Sequence, residues 1–157
     1  MKHTSYVVGF LFSPSMLEVA LIRKNKPEWQ RGSLNGIGGK VEDEETPEQA
    51  MRREFSEEAD YAGGHSLAWK HFCSMSGINN DGSSFGIDFF YAVGEPNRIA
   101  SKEEEEIHVF YSPEICSGDY KTVGNVPWLV ALARDFGVGV HPPSHVEVSY
   151  SLKKQST

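Results

Sequence analysis

The sequence predicts a single α/β domain in which helices pack on a central mixed β-sheet. A chain of 157 residues fits one domain and can bury a substantial core. Apolar, β-branched runs recur along the chain, and two segments carry apolar residues at helical spacing. These elements follow one another in an irregular order, not in a repeating strand–helix–strand series. That order favours an α/β sandwich with a mixed sheet.

The first two strands are predicted at the N-terminus. Residues 6–13 and 16–24 are apolar and β-branched, and the short segment SPS joins them as a hairpin. The first apolar run superficially resembles a secretion signal because it follows Lys2. It is short, however, and no small-residue cleavage pattern follows it. We therefore interpret it as a core strand.

The strongest local signal marks a helix over residues 46–59. Thr46 is a good N-cap, Pro47 suits the first helical position, and Gln49 completes a capping box. The glycine pair at 63–64 is expected to end the helix. The remaining predicted elements are a glycine-rich loop at 25–40, a hairpin of strands at 66–78 and 84–94 around NNDG, a short strand at 107–111, a helix at 126–136, and a last strand at 145–152.

Charge and cysteine content exclude several classes of function. The net charge is −7 and the pI is near 5.3, whereas nucleic-acid and membrane-surface binding require a basic face. An acidic protein that handles phosphates needs a cation between itself and its substrate. Cys73 and Cys116 form neither a metal spacing nor a disulfide framework, which is typical of a reducing, cytoplasmic compartment. No segment approaches the ~20 apolar residues of a membrane span.

Three carboxylates share one side of the predicted helix. At about 100° per residue, Glu54, Glu57 and Glu58 fall within an arc of about 100°, beside an apolar stripe. Their mutual repulsion costs stability, and binding of Mg²⁺ or Mn²⁺ by hard oxygen ligands would offset it. A glutamate-rich helix is more commonly a solvated face. The Gly-Gly turn before the helix, with Glu45 and Arg53 nearby, favours the metal site.

The segment from Gly39 to Tyr61 resembles the Nudix box. Its pattern is Gly, five residues, Glu, seven residues, then Arg-Glu-apolar-x-Glu-Glu-x-Gly-apolar. One position departs, because Asp60 stands where the family has glycine; aspartate tolerates the left-handed backbone expected there, at a cost of about 1 kcal/mol or less. The matching positions are Gly39, Glu45, Arg53, Glu54, Phe55, Glu57, Glu58 and Tyr61.

The resemblance implies a fold and a reaction. The fold is an α/β/α sandwich with a central mixed β-sheet, formed by one Nudix hydrolase domain over 1–157 with the box at 39–61 and a flexible tail at 153–157. The reaction is metal-dependent attack of water on a phosphoanhydride. The implied ligands of Mg²⁺ or Mn²⁺ are Glu54, Glu57, Glu58 and the Gly39 carbonyl, while Glu45 and Arg53 give structural support.

A further catalytic carboxylate is expected in the acidic run at 103–106. By similarity to relatives that use a carboxylate from a late loop just before a short strand, Glu106 is the first candidate for an extra ligand or general base, and Glu105 is the second. The base can equally be a glutamate of the box. The simpler alternative is a solvated acidic run with no role.

Candidate substrate contacts come from two segments that are similar to those of oxidised-purine nucleoside triphosphatases of this family. In GSLNGIGGK, Asn35 stands where such enzymes contact the base, although Leu34 replaces their tryptophan and Asn35 can instead form a turn. In NVPWLVAL, Trp128 can stack on a purine or lie in the core. Further candidates are Arg23 and Lys40 for phosphates, and Asp119 and Asn125 for hydrogen bonds to the base.

The expected substrate is compact because the chain is near the minimum size of the family. A nucleoside or deoxynucleoside triphosphate, oxidised or non-standard, would yield a nucleoside monophosphate and pyrophosphate. A nucleotide sugar or dinucleotide is the alternative, followed by a non-catalytic nucleotide-binding module. A calcium-binding module is disfavoured, because the chain lacks the loop of alternating Asp and Asn residues that Ca²⁺ binding favours. We expect a monomer or homodimer with no nucleic-acid or membrane partner.

Overall fold

The structure, a computed structural model, describes residues 2–139 and 146–151 and confirms a sandwich around one central mixed sheet. The predicted tail at 153–157 lies outside the described residues. The strands are β1 His3–Phe12, β2 Glu18–Arg23, β3 Leu34–Asn35, β4 Ile37–Lys40, β5 Ala59–Asp60, β6 Lys70–Ile78, β7 Ser84–Val93, β8 Ala100–Ser101, β9 Ile107–Tyr111 and β10 Val146–Ser151. The α-helices are α1 Pro47–Glu58, α2 Ser112–Cys116 and α3 Val126–Gly137.

The sheet places β1 at its centre. The main path runs β10-β6-β7-β1-β2-β3, with β9 also paired to β2 and β4 also paired to β1. β1 is parallel to β7 and antiparallel to both β2 and β4. The first half of β1 pairs with β4 and its end pairs with β2, so these two partners diverge from a common strand. β4 therefore brings the start of the Nudix-like segment to the middle of the sheet.

Side chains alternate between two cores, one on each face of the sheet. We call them the α1 cluster and the α3 cluster. The predicted N-terminal core strand is confirmed, because its buried residues contribute to both. The α1 cluster includes Val7, Leu11, Ala20, Ile22 and Ile107 of the sheet and Ala50, Met51 and Phe55 of α1. The α3 cluster includes Val8, Phe10, Phe12, Val19, Leu21 and Leu34 of the sheet and Val126, Leu129 and Ala133 of α3, with Phe110 packed against it.

The prediction of a loop over 25–40 is wrong at its end, where β3 and β4 form. β4 contains Gly38 and Gly39, and glycine is unfavourable in strands, so composition concealed it. The glycine at 38 is required by close approach, because a Cβ there would overlap the backbone of Val7 on the neighbouring strand. Pairing with β1 therefore decides the structure of this segment.

The end of α1 agrees with the prediction within one residue, but the segment that follows the helix differs. The helix ends at Glu58, and residues 59–60 pair as β5 with β8 instead of continuing to the glycine pair. The left-handed backbone expected at Asp60 is absent, since Asp60 is extended and pairs with Ala100. A positive φ of 80° occurs instead at Gly63. Strand pairing satisfies the chain after the helix and removes the need for a glycine cap.

The later elements follow the prediction closely. The predicted hairpin forms from β6 and β7, although β6 begins only at Lys70 after a short 3₁₀ turn. α3 matches the predicted helix at 126–136, and β10 adds a parallel strand beside β6. Among the described residues, no helix combines the length and apolar character that crossing a bilayer requires.

Candidate active site

Helix α1 positions the carboxylates by packing against the sheet. Thr46 caps it, since its hydroxyl accepts a hydrogen bond from Gln49 N at 3.2 Å and Gln49 Oε1 accepts one from Thr46 N at 2.9 Å. Ala50, Met51 and Phe55 are buried in the α1 cluster. Burying this stripe leaves Glu54, Glu57 and Glu58 along the rim of the contact.

Arg53 connects the helix to the loop before it. Its Nε and Nη2 donate to the two carboxylate oxygens of Glu45 at 2.7 and 2.9 Å, and Nη2 also donates to the Lys40 carbonyl at 2.9 Å. Nη1 donates to Glu54 Oε1 at 2.8 Å and to Glu57 Oε2 at 3.3 Å. The hydrogen bond from Arg53 lowers the pKa of Glu45. The guanidinium thus holds three carboxylates in one arrangement.

Glu54 is the most enclosed of the carboxylates that Arg53 contacts. Its side chain is 12% exposed, and burial raises its pKa, although Arg53 counteracts part of this effect. Its carboxylate lies directly against Gly39, where an added Cβ would come within 2.5–2.6 Å of the carboxyl atoms. The glycine of β4 therefore provides the space that Glu54 occupies.

Replacing Gly39 with alanine should lower hydrolysis by about 100-fold while leaving the protein folded. The new methyl group displaces the Glu54 carboxylate, which the box pattern predicts to hold the cation, and an ångström-scale shift of such a group can cost about this much in rate. Steady-state kinetics with circular dichroism would measure both effects. Gly32→Ala is a weak control because φ is positive there, so Gly124→Ala, with open space around its Cβ position, is the matched control. Equal activity losses in the two variants would contradict the steric argument.

Glu58 carries a buried carboxylate oxygen with no protein partner. Its Oε2 accepts no hydrogen bond. Burial raises the pKa of Glu58 to about 8, Lys24 opposes this effect, and repulsion from Glu54, Glu105 and Glu103 adds to it. Buried polar atoms are nearly always satisfied in folded proteins, so an unpartnered carboxylate oxygen calls for a ligand.

Within the acidic run, the enclosed carboxylate is that of Glu105 and not that of Glu106. Glu106 is 68% exposed and pairs with His108 at 3.0 Å, whereas Glu105 is 20% exposed and pairs with Lys24 Nζ at 2.8 Å. Burial alone would raise the pKa of Glu105, but hydrogen bonds from Lys24 and the Asn25 amide lower it below its ordinary value. Glu105, the second candidate, is therefore the more enclosed of the two carboxylates, and a role for Glu106 stays a prediction.

Alternation of side chains along the strands explains why Glu105 is enclosed and Glu106 is not. It also places Lys24, which the sequence analysis did not identify, beside Glu105. Ile107 packs in the α1 cluster and Phe110 packs against the α3 cluster, so residue 105 shares the α1 face and residue 106 does not. On the paired strand β2, Ile22 faces α1, which places Lys24 on the same face two residues later. The two-residue period was visible in the sequence, and the pairing of β2 with β9 was not.

The chemistry of this site fits a divalent cation. The unpartnered oxygen of Glu58 and the neighbouring carboxylates of Glu54 and Glu57 are hard oxygen donors of the kind that Mg²⁺ or Mn²⁺ prefers. Within residues 2–139 and 146–151, no three acidic, histidine or cysteine side chains converge into a finished metal cluster. Arg53 pairs with Glu54 and with Glu57, whose side chain is half exposed.

Three of the predicted substrate contacts, Arg23, Asn35 and Lys40, lie on strands β2, β3 and β4. Asn35 is opposite Ile22 and so faces the α1 side, but its Oδ1 accepts a hydrogen bond from Gly36 N at 2.8 Å, as in a turn. Arg23 is exposed and donates to the Gly32 carbonyl at 3.1 Å. Lys40 is exposed, and it contacts the Arg53 network through its backbone carbonyl, which accepts a hydrogen bond from Arg53 Nη2 at 2.9 Å.

The other three predicted contacts lie around the start of α3, the helix that covers the opposite face. Trp128 is 44% exposed, which excludes the core alternative, while Leu129 beside it is buried. Asn125 Nδ2 lies 3.7 Å from Met75 Sδ, and Asp119 is exposed. The structure thus brings the box residues together with Lys24 and Glu105, and it places Asn125 and Trp128 apart from them on the α3 side.

Comparisons with known proteins agree with this geometry. The family model of the NUDIX domain matches residues 2–121. No curated protein matches the chain significantly. Among solved structures, the chain is similar to a mutator MutT protein from Bacillus halodurans, with 16% identity and a TM-score of 0.66 over 96% of this chain and 91% of that one.

Two further solved structures show the same fold. MutT from Aliivibrio salmonicida and Vibrio cholerae is 23% identical, with a TM-score of 0.63 over 85% of this chain and 99% of that one. Dihydroneopterin triphosphate pyrophosphohydrolase from E. coli is 12% identical, with a TM-score of 0.67 over 88% of this chain and 99% of that one. The family match over most of the chain, on a fold that gathers the box carboxylates at one helix, shows that the chain belongs to the Nudix family of pyrophosphohydrolases.

Proposed function

We propose that this protein hydrolyses a nucleoside or deoxynucleoside triphosphate to a nucleoside monophosphate and pyrophosphate with the help of Mg²⁺ or Mn²⁺. Oxidised and other non-standard bases are the first candidates. The observation that carries the proposal is the buried, unpartnered oxygen of Glu58 within a group of carboxylates. Such an oxygen is costly in a protein that binds no ligand there.

Glu54, Glu57 and Glu58 would hold the cation, with the Gly39 carbonyl as a further ligand. When bound, the cation neutralises phosphate charge and lowers the pKa of a water molecule. Positive charge nearby would also favour the ionised form of Glu58, and a carboxylate oxygen of Glu58 that does not contact the cation would then accept a proton from the attacking water. We therefore propose Glu58 as the general base in place of Glu106.

Two exposed cations, Arg23 on β2 and Lys40 on β4, are candidates for contacts with the phosphate chain. Lys40 and Arg23 are both exposed, so neither must break a buried contact to reach a phosphate oxygen. Arg53 is already committed to Glu45 and acts as a brace. The names of the similar structures agree with a triphosphate substrate, since one of them is a dihydroneopterin triphosphate pyrophosphohydrolase.

A panel of nucleotides tests this proposal. We expect at least one nucleoside triphosphate to be cleaved to monophosphate and pyrophosphate, at a rate that depends on Mg²⁺ or Mn²⁺ and is abolished by chelation. The panel should contain standard and oxidised triphosphates, nucleotide sugars and dinucleotides, with Glu58→Gln as the blank. Product identity by ion-exchange chromatography separates triphosphate cleavage from cleavage of the other classes. A panel in which no triphosphate exceeds the blank would contradict the proposal.

A further inference from the structure

The loop between β2 and β3 forms a closed, internally bonded unit. We call residues 24–33 the 24–33 loop. Its ends meet through hydrogen bonds from Lys24 N to the Ser33 carbonyl at 2.9 Å and from Gly32 N to the Lys24 carbonyl at 2.8 Å. A 3₁₀ turn, Glu28–Gln30, shapes its tip. The loop therefore has a defined conformation to present to a ligand.

Glu105 anchors the base of this loop beside the active site. One carboxylate oxygen accepts from Lys24 Nζ, and the other accepts from the backbone amides of Asn25 and Lys26. Lys24 in turn lies close enough to Glu58 to oppose the rise in its pKa. On its far side the loop contacts Lys121, whose Nζ donates to the Arg31 carbonyl at 3.2 Å. These contacts fix the base of the 24–33 loop to Glu105, and Lys24 at that base lies within electrostatic reach of Glu58.

The tip of the loop carries Trp29, which is 73% exposed and is the most exposed large apolar side chain of the described residues. Tryptophan seldom remains this exposed in the absence of a partner, because its large apolar surface favours burial. The loop region is also basic in an acidic protein. Residues 23–31 contain four basic side chains and one acidic side chain, while the whole chain has a net charge of −7.

We propose that the 24–33 loop is a substrate-recognition element and that Trp29 stacks on the base of the nucleotide. This inference rests on the proposed function. An aromatic plane suits a nucleobase of any sequence, since every base offers a π-face. The exposed cations of the same loop, Lys26 and Arg31, attract the phosphates that lead from the base to the carboxylates. Glu105 is the positioning residue that fixes the loop relative to Glu58.

Trp128 is the competing candidate for the stacking residue. It is less exposed, at 44%, and belongs to the helix that covers the opposite face from Glu58. The 24–33 loop, in contrast, is tied directly to the carboxylate side through Glu105. The two tryptophans can be separated by single substitutions.

The test compares Trp29→Leu, Trp29→Phe and Trp128→Leu with the wild type. For the best triphosphate of the panel, Trp29→Leu should raise KM by about tenfold or more with kcat nearly unchanged, and Trp29→Phe should keep most of the affinity. Hydrolysis of inorganic tripolyphosphate, which has no base, should be unaffected by Trp29→Leu. Tyr111→Leu is the matched control, since Tyr111 is 49% exposed at the end of β9 remote from Glu105.

Direct binding distinguishes failure of this inference from failure of the proposed function. A non-hydrolysable nucleoside triphosphate should quench tryptophan fluorescence in the wild type and in Trp128→Leu, and only weakly in Trp29→Leu. An unchanged KM and unchanged quenching in Trp29→Leu would overturn the inference even where triphosphates are hydrolysed. Quenching through Trp29 with no hydrolysis of any triphosphate would support the inference and contradict the proposed reaction.

Discussion

Replacing Glu58 with glutamine should lower kcat for nucleotide hydrolysis by about 1,000-fold or more. The substitution keeps the size of the side chain but removes a residue that we propose both as a metal ligand and as the proton acceptor, and each such loss typically costs about 100-fold or more. Glu48→Gln is the matched control, because Glu48 lies on the same helix with its side chain 55% exposed and paired with Arg52. We expect its kcat to stay within about twofold of wild type.

The same substitution should stabilise the protein in the absence of metal, and the gain should grow with pH. Burial raises the pKa of Glu58 from 4.5 to about 8, so between these values the folded state retains a proton that the unfolded state has lost. Stability of the wild type therefore falls as pH rises through this window. Glutamine has no such proton, which gives Glu58→Gln an advantage of at most about 5 kcal/mol above pH 8 and little advantage below pH 4.5.

Thermal unfolding at several pH values, with and without Mg²⁺, measures this effect. Mg²⁺ should raise the melting temperature of the wild type most at high pH, where Glu58 is ionised, and should have a much smaller effect on Glu58→Gln. Wild-type activity in Glu58→Gln would contradict the proposed role of this residue. A constant stability difference across the pH range would contradict the buried, proton-binding state of its carboxylate.

Features determined by local sequence could be predicted accurately. The start of α1 follows from Thr46, Pro47 and Gln49, which lie within four residues of one another, and the structure shows the same capping box. The α1 carboxylates follow from helical spacing and from the box pattern. Such features depend on hydrogen bonds and side-chain directions within one or two turns, so distant parts of the chain do not alter them.

Features determined by pairing with a distant strand could not be predicted from the sequence. Gly38 and Gly39 form part of a strand only because β1 lies beside them, and Asp60 is extended only because Ala100 pairs with it. Strand propensity is weak and depends on context, so glycine-rich or helix-flanking residues can be drawn into a sheet. The same limit explains the segment that follows α1, where the partner strand is about 40 residues away in the sequence.

The choice between Glu105 and Glu106 lies between these two cases. Alternation from Ile107 gives the face of each residue, but only the pairing of β2 with β9 reveals that Lys24 stands on that face. The exposure of Trp128 is a similar case, since helical spacing gives its direction but not the extent of the sheet that α3 covers. Sequence patterns thus predicted the direction in which a side chain points, whereas the residues that it contacts depend on the fold.

Replacing Arg53 with methionine should destabilise the protein by about 2 kcal/mol and lower hydrolysis by about 100-fold. Methionine retains the apolar stem but leaves Glu45 and Glu54, whose side chains are 14% and 12% exposed, without their counter-charge. Breaking a fully buried pair costs about 3–5 kcal/mol, and the 22% exposure of the Arg53 side chain reduces this figure. Activity falls because Glu54 and Glu57 lose the group that orients them.

The pH dependence of stability and a comparison with Arg52 both test this expectation for Arg53. Arg53 lowers the pKa of Glu45, so its stabilising contribution is present above pH 4.5 and is lost as pH falls further. The stability gap between wild type and Arg53→Met should therefore shrink in acid.

Arg53→Lys should recover part of the stability but little activity, because an ammonium cannot form the two parallel hydrogen bonds to Glu45. Arg52→Met, which removes a more exposed pair with Glu48, should cost about 1 kcal/mol or less and leave hydrolysis intact. Equal losses for the two arginines would mean that Arg53 contributes only general helix stability, and that the carboxylates keep their arrangement without it.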